Sequence, residues 1–249
     1  MTVALVTGGG RGIGRAISLA LAEDGADVAV NYRQDADAAA ETVSAIEALG
    51  RRAVAYPASV DSLDDDRRMV SEVVADFGGI DVLVCNAGIA SRGQTVVDTD
   101  PAEMERVVRT HAFGSHHLCQ AVVPSMRERG GGSIVLVSSA ATLTHSANGG
   151  PYNMAKAALE SLGLTLAKEE LRHNIKVNIV APGLVDTDMG RRLAKAVMGA
   201  GDDIHSIDSR MPFGHVCSPE EVADVVAWIV SDGARYVNNQ TIGVDGGAY

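Results

Sequence analysis

Aromatic residues are scarce in this 249-residue chain: one Trp, five Tyr and three Phe, so the 46% hydrophobic content rests on Ala, Val, Leu and Ile. That apolar share excludes a disordered chain, which combines few apolar residues with high net charge. Cysteine is scarce as well. Cys85, Cys119 and Cys217 are odd in number and widely spaced, which reads as free thiols in a reducing compartment rather than a disulfide framework. Positive charge is in the minority, and the net charge of −11 gives no general attraction to nucleic-acid phosphates or anionic lipid. No apolar run approaches the ~20 residues of a membrane span. The N-terminus starts on a strand-like run rather than a basic and then apolar leader. A cytoplasmic protein with no nucleic-acid or membrane partner is expected.

What the chain has is alternation. Strand-like runs fall at Val3–Val6, Asp27–Asn31, Ala53–Tyr56, Val82–Cys85, Ser133–Ser138, Lys176–Val180 and Thr241–Val244. Helical spacing fills Gly12–Asp24, Ala36–Leu49, Leu63–Phe77, Ala102–Arg129, Tyr152–His173 and Pro219–Ser231. Several strands are continuous apolar runs, as parallel strands buried on both faces should be. Strands alternating with helices predict a doubly wound, seven-stranded parallel sheet (a Rossmann fold) in a single α/β domain spanning 1–249. Met189–Cys217 breaks the alternation, with a helix expected near Arg191–Met198 and then loop. It follows a strand's C-terminal end, where ligands bind in such sheets, and reads as a substrate lid over 189–217, or else as a structural excursion or oligomer contact.

The first strand runs into Thr7, then Gly8, Gly9, Gly10, Arg11, Gly12, Ile13 and Gly14, then a helix. Glycines let the backbone approach a pyrophosphate, and the helix N-terminus offers free N–H groups and a positive dipole end. Lying between a strand and a helix, the stretch predicts dinucleotide binding. The second strand ends Asn31, Tyr32, Arg33, with no acid to hydrogen-bond a ribose 2′-OH. Arg33 can pair with a 2′-phosphate, and Arg11 could reach the same group. NADP(H) is therefore favoured over NAD(H).

Tyr152 and Lys156 are four apart and share one helix face. A nearby ammonium would lower the tyrosine's pKa from its reference of ~10 and let it exchange a proton near neutrality. Ser139, at a strand end, lies thirteen residues before Tyr152. With the Thr-Gly-x3-Gly-x-Gly turn, Asn86, Ala87 and Gly88 after the fourth strand, and Pro182 and Gly183 before Thr187, this pattern resembles the short-chain dehydrogenase/reductase family, most of all its 3-oxoacyl-[acyl-carrier-protein] reductase-type members. The resemblance runs from Thr7 to Gly247.

The resemblance implies the roles. Tyr152 is the expected general acid/base. Lys156 lowers its pKa and holds the nicotinamide ribose, and Ser139 hydrogen-bonds the substrate oxygen. The Gly12–Gly14 amides hold the pyrophosphate, Asn86 lines the cofactor site, and Val185 and Thr187 meet the carboxamide. Relatives are usually tetramers, joined partly through the two long helices. Two positions depart from the pattern. His111 stands where many members have a catalytic Asn that supports a proton relay; it replaces that function, tunes the pH response, or is simply packed. Ser59 stands where an Asp or Asn usually contacts adenine, a contact assigned to Ser59 or the backbone of Val60.

Plainer readings attach to other features. Ser138 reads as an ordinary strand-end residue. His116 and His117 point about 100° apart and lack metal-pair spacing, so no metal is expected. Asp64, Asp65 and Asp66 read as a solvated helix start. Arg127, Arg129 and Arg172 are ordinary surface charge or a docking patch for an acidic carrier protein. The function expected is NADP(H)-dependent interconversion of a carbonyl and an alcohol, with a 3-oxoacyl thioester as one candidate substrate and acyl carrier protein as a candidate partner. An NAD(P)-dependent dehydrogenase of a sugar, polyol or steroid alcohol is the second reading. A non-catalytic dinucleotide sensor is the third, and the intact Ser139, Tyr152, Lys156 set argues against it.

Overall fold

A computed structural model describes residues 2–248, so the terminal Met1 and Tyr249 of the expected 1–249 domain lie outside the described residues. The strands are β1 (Val3–Val6), β2 (Asp27–Tyr32), β3 (Ala53–Pro57), β4 (Val82–Cys85), β5 (Gly132–Val137), β6 (Ile175–Pro182) and β7 (Thr241–Val244). They form one parallel sheet in the order β3-β2-β1-β4-β5-β6-β7. The expected seven-stranded doubly wound fold is what the chain adopts.

Helices cover both faces, which is why the central strands carry apolar residues at every position. On one face α1 (Gly12–Glu23), α2 (Ala36–Ala48) and α9 (Pro219–Val230) bring Ile17, Leu21, Ile46 and Val226 against the sheet. On the other, α3 (Leu63–Phe77), α5 (Gly114–Glu128) and α7 (Gly150–Glu169) bring Met69, Leu118, Met126 and Leu159. Strand order reverses between β1 and β4, so the connections leaving their C-terminal ends part in opposite directions and open a crevice there.

The long helix expected over Ala102–Arg129 is interrupted. It starts as α4 (Pro101–Val108), capped by Asp100, widens into a π-helical turn at Arg109–Phe113, and resumes as α5. Such turns insert an extra residue and recur at functional sites. This one buries Thr110, His111 and Ala112.

The segment 189–217 is more ordered than its sequence suggests. After α8 (Asp188–Leu193) come a second π turn at Ala194–Met198 and 3₁₀ turns at Ile204–Arg210 and Pro212–Gly214. Ala194, Ala200, Ile204, Ile207 and Val216 give it a small apolar core of its own.

One charge reading needs correction. Asp66 is not solvated: it is fully buried, on the inward stripe of α3 with Met69, Val70 and Val73. Burial, then Asp65 and Asp61, push its carboxyl up to about 8. Neither carboxyl oxygen has a hydrogen-bond partner, and His117 Nδ1 stands 3.7 Å away. Of the three arginines Arg127, Arg129 and Arg172, two are ion-paired. Arg127 is paired with Glu170, and Arg129 lies 2.8 Å from Asp81. Both charges are already matched across the end of the sheet.

Candidate active site

The glycine turn after β1 is locked from below. Asn31 accepts from the Gly8 amide at 3.2 Å, and its own amide donates to Tyr56 O at 3.2 Å and Ala58 O at 3.1 Å. Thr7 Oγ1 accepts from the Asn86 and Ala87 amides, each at 3.0 Å, and Asn86 Nδ2 donates to Thr7 O at 2.9 Å. Asn86 thus ties the ends of β1 and β4 together. A Cβ on Gly14 would stand 2.1 Å from Gly8 O, so only glycine lets α1 start this close to the turn.

The start of α1 suits an anion. Its N-cap, Arg11, makes no side-chain capping bond. In contrast, α2, α3, α4, α8 and α9 are each capped by a side chain, from Asp35, Ser62, Asp100, Thr187 and Ser218. The first-turn N–H groups beside Gly12, Ile13 and Gly14 therefore remain available to a pyrophosphate. Arg11 and Arg33 are exposed at the mouth of this turn, and neither is ion-paired among the described residues. Asp35, an acid close after β2, is committed to capping α2 through the Ala38 amide at 3.2 Å. The residues fit a nicotinamide dinucleotide.

Other expected contacts are partly occupied within the protein. Ser59 Oγ donates to Asp61 at 2.7 Å, and Val60 O packs against Gly114. Thr187 Oγ1 accepts from the Gly190 amide at 3.0 Å. Val185 is buried and forms a bridge with Cys217, which joins the loop after Pro182 and Gly183 to the end of the 189–217 segment.

Ser139, Tyr152, Lys156 and His111 converge at the C-terminal end of β5. Lys156, 4% exposed, donates from Nζ to Val137 O at 2.7 Å and lies 5.6 Å from the Tyr152 ring centre. Burial lowers its pKa to about 7, against an opposing pull from Glu160. Burial also raises the Tyr152 phenol, opposed by Ser139. This corrects the expectation that an ammonium dominates the phenol. Desolvation drives both groups toward their neutral forms, leaving a protonated phenol beside an amine that titrates near neutrality.

His111 Nε2 sits 2.8 Å from Ile89 O and 3.1 Å from Ile89 N, while Nδ1 is buried with no partner. Burial, then Lys156, holds the imidazole down to about 3. Its ring packs on Gly88, where a Cβ would come within 2.5 Å of Cε1. His111 is therefore neutral over the ordinary pH range.

Sequence reasoning missed several anchoring residues. Asn31 and Thr7 hold the cofactor turn. Ser138 is no idle strand end: its hydroxyl donates to Glu160 at 2.6 Å. A polar residue inside an otherwise apolar strand was the available signal for Asn31, since asparagine is disfavoured in strands.

A family model described as enoyl-(acyl carrier protein) reductase matches residues 8–249. A 3-oxoacyl-[acyl-carrier-protein] reductase of Staphylococcus epidermidis is 36% identical over 247 residues, covering 99% of this chain and 98% of the relative. Versicolorin reductase 1 of Aspergillus parasiticus is 37% identical over 257 residues, covering 99% and 96%. A short-chain dehydrogenase of Burkholderia cenocepacia, solved in complex with NADP, superimposes with a TM-score of 0.89 at 37% identity, covering 99% and 97%. With the glycine cradle and the Ser139, Tyr152, Lys156 cluster at one end of one sheet, this chain belongs to the short-chain dehydrogenase/reductase family and is an NAD(P)-dependent oxidoreductase.

Proposed function

We propose that the protein is an NADP(H)-dependent carbonyl reductase in which Tyr152 is the general acid. The observation that carries this reading is the Tyr152–Lys156 pair, with the buried Lys156 Nζ 5.6 Å from the half-buried Tyr152 ring, at the same C-terminal end of the parallel sheet as the glycine turn that opens α1. The bound nicotinamide supplies the hydride. Tyr152 holds its proton at the phenol oxygen until negative charge develops on the substrate oxygen, which Ser139 steadies with a hydrogen bond. Lys156, with a pKa near neutrality, re-supplies that proton. Neutral His111 takes the relay position occupied by asparagine in relatives, with the ring nitrogen Nδ1 left free of protein partners among the described residues. Arg33 and Arg11 select the 2′-phosphate. Gly8, Gly10, Gly12, Ile13 and Gly14 seat the pyrophosphate. Ser59 and Val60 border the adenine, Asn86, Ala87 and Gly88 the ribose, and Pro182, Gly183, Val185 and Thr187 the carboxamide.

The 189–217 segment is the lid, hinged on the loop that carries Thr187. The name of the Staphylococcus relative supports a 3-oxoacyl thioester as substrate. With Arg127 and Arg129 already paired, docking of an acyl carrier protein on that face would rest on Arg172. A sugar, polyol or steroid alcohol is the second substrate reading. Exposed Phe113, Met154 and Leu171 on and just beyond the two long helices support a homotetramer, and the free thiols support a cytoplasmic location. NADPH consumption against acetoacetyl thioesters, sugars, quinones and ketosteroids tests the whole. Turnover of acyl thioesters supports the reading. Tight NADPH binding with no turnover of any carbonyl would point instead to a dinucleotide sensor.

A further inference from the structure

Tyr152, Lys156 and Glu160 follow one another at i, i+4 spacing along α7 and so share one face. Two of them grip the same turn. Lys156 Nζ donates to Val137 O at 2.7 Å, and Glu160 Oε1 accepts from Ser138 Oγ at 2.6 Å. The same Glu160 oxygen lies 2.9 Å from Thr142 Oγ1, on α6 (Ala141–Thr144) just past Ser139. Thr142 in turn reaches the Ser139 carbonyl, 3.0 Å from its hydroxyl and 3.1 Å from its amide. Glu160 therefore holds the residue before Ser139 and the residue three after it. Hydrogen bonds to an ionised carboxylate are about twice as strong as neutral ones.

We propose that Glu160 is a positioning residue for the reaction: its carboxylate clamps the Ser139 turn to the helix that carries Tyr152 and Lys156. It also places a negative charge one helical turn beyond Lys156, on the side away from Tyr152. The inference rests on the reading of Ser139, Tyr152 and Lys156 as the acid/base site. Its two parts separate experimentally. Glu160→Gln keeps an oxygen for both hydroxyls and removes the charge. Ala removes both. Ser138→Ala removes one anchor and leaves the charge.

The test measures kcat and KM for NADPH-dependent carbonyl reduction, together with the pH–rate profile, for wild type, Glu160→Gln, Glu160→Ala, Ser138→Ala and Tyr152→Phe. Folding is checked by circular dichroism. The Lys156 titration is followed independently of activity by lysine 13Cε NMR, assigned with Lys156→Met. Glu160→Ala is expected to lower kcat on the order of ten- to a hundredfold, the size of effect that small misplacements of reacting groups produce, with cofactor KM little changed. Glu160→Gln should recover most of that rate yet shift both the pH–rate limb and the Lys156 titration to lower pH. Ser138→Ala should lower kcat without moving the titration. A folded Glu160→Ala enzyme with wild-type kcat, or an unmoved Lys156 titration in Glu160→Gln, overturns the proposal. Should Glu160→Ala not fold, the Gln and Ser138 variants decide alone. If Tyr152→Phe stays active, the underlying site reading fails. If only Tyr152→Phe is inactive, the site stands and the clamp falls.

Discussion

The His111 ring meets the Tyr152 ring edge-on, with centroids 5.3 Å apart and planes at 86°. A buried neutral imidazole thus stands where a titrating one would disturb the acid. Because burial holds His111 down to about 3, it should contribute no limb to a pH–rate profile between pH 5 and 9. His111→Asn is expected to leave the apparent pKa values of kcat/KM in place. It should cost about 1–2 kcal/mol of stability through lost packing against Gly88. The folded pKa lies below the unfolded value of ~6.5, so the unfolded chain binds the extra proton. Stability is full above that value and is lost as pH falls toward 3. Urea unfolding from pH 4 to 8 checks the slope, and a shifted rate profile in His111→Asn would reject the neutral role.

Asp66 gives the opposite slope. Its folded pKa of about 8 exceeds the unfolded ~3.9, so its share of stability is full below pH 4 and is lost as pH rises toward 8. Asp66→Leu removes a buried carboxyl with no hydrogen-bond partner. It should stabilise the protein by about 1–3 kcal/mol at pH 8 and by less at pH 5. Thermal melts of both proteins at the two pH values measure this. Destabilisation at pH 8 would mean that the Asp66 carboxyl packs and bonds favourably where it lies, against the neutral His117 imidazole, which burial holds below its ordinary pKa.

Asp66 also marks where sequence and structure part. The strands could be read because several are continuous apolar runs and all alternate with helical segments, and the site could be read because its residues sit at strand ends and at fixed helix spacing. An acidic run at a helix start looks solvated, and only the stripe shared with Met69, Val70 and Val73 betrays that one of the three acids faces inward. The π turn at Arg109–Phe113 has no sequence signature. It depends on packing around His111 and on Gly114, where a Cβ would lie 2.2 Å from Val60 O. The Glu160 clamp was hidden for a different reason. Its partners, Ser138 and Thr142, come from another element, and no spacing within α7 reveals them.

Cofactor choice turns on Arg33. Exposed just past β2 and without an ion-pair partner among the described residues, it should contribute a charge-assisted contact of about 1.5–3 kcal/mol to a 2′-phosphate. Arg33→Ala is expected to weaken NADPH binding about ten- to a hundredfold and NADH binding less than about twofold, by calorimetric titration. Equal losses for the two cofactors would sink the assignment.

Assembly can be measured directly. Phe113, Met154 and Leu171, on or just beyond the two long helices, are 51%, 57% and 67% exposed and offer apolar anchors to a second subunit. Light scattering at micromolar concentration is expected to give a tetramer, and Met154→Glu should shift it toward smaller species. A wild-type monomer under the same conditions would reject this.

Lys156 sets function against stability. Its folded pKa of about 7 lies below the unfolded ~10.4, so the share of stability linked to it is full above pH 10 and is lost as pH falls toward 7. At neutral pH the fold therefore carries the strain of a desolvated amine that the reaction needs. Lys156→Met should raise the melting temperature by a few degrees at pH 7, since about 1 kcal/mol shifts a chain of this size by 2–4 °C. The same change should lower kcat on the order of 10²–10⁴-fold, the range of general acid–base catalysis, as should Tyr152→Phe. Differential scanning calorimetry and NADPH consumption, run on one preparation, separate the two effects. A Lys156→Met protein that is both less stable and fully active would show that the amine serves packing at the end of β5 and not proton transfer.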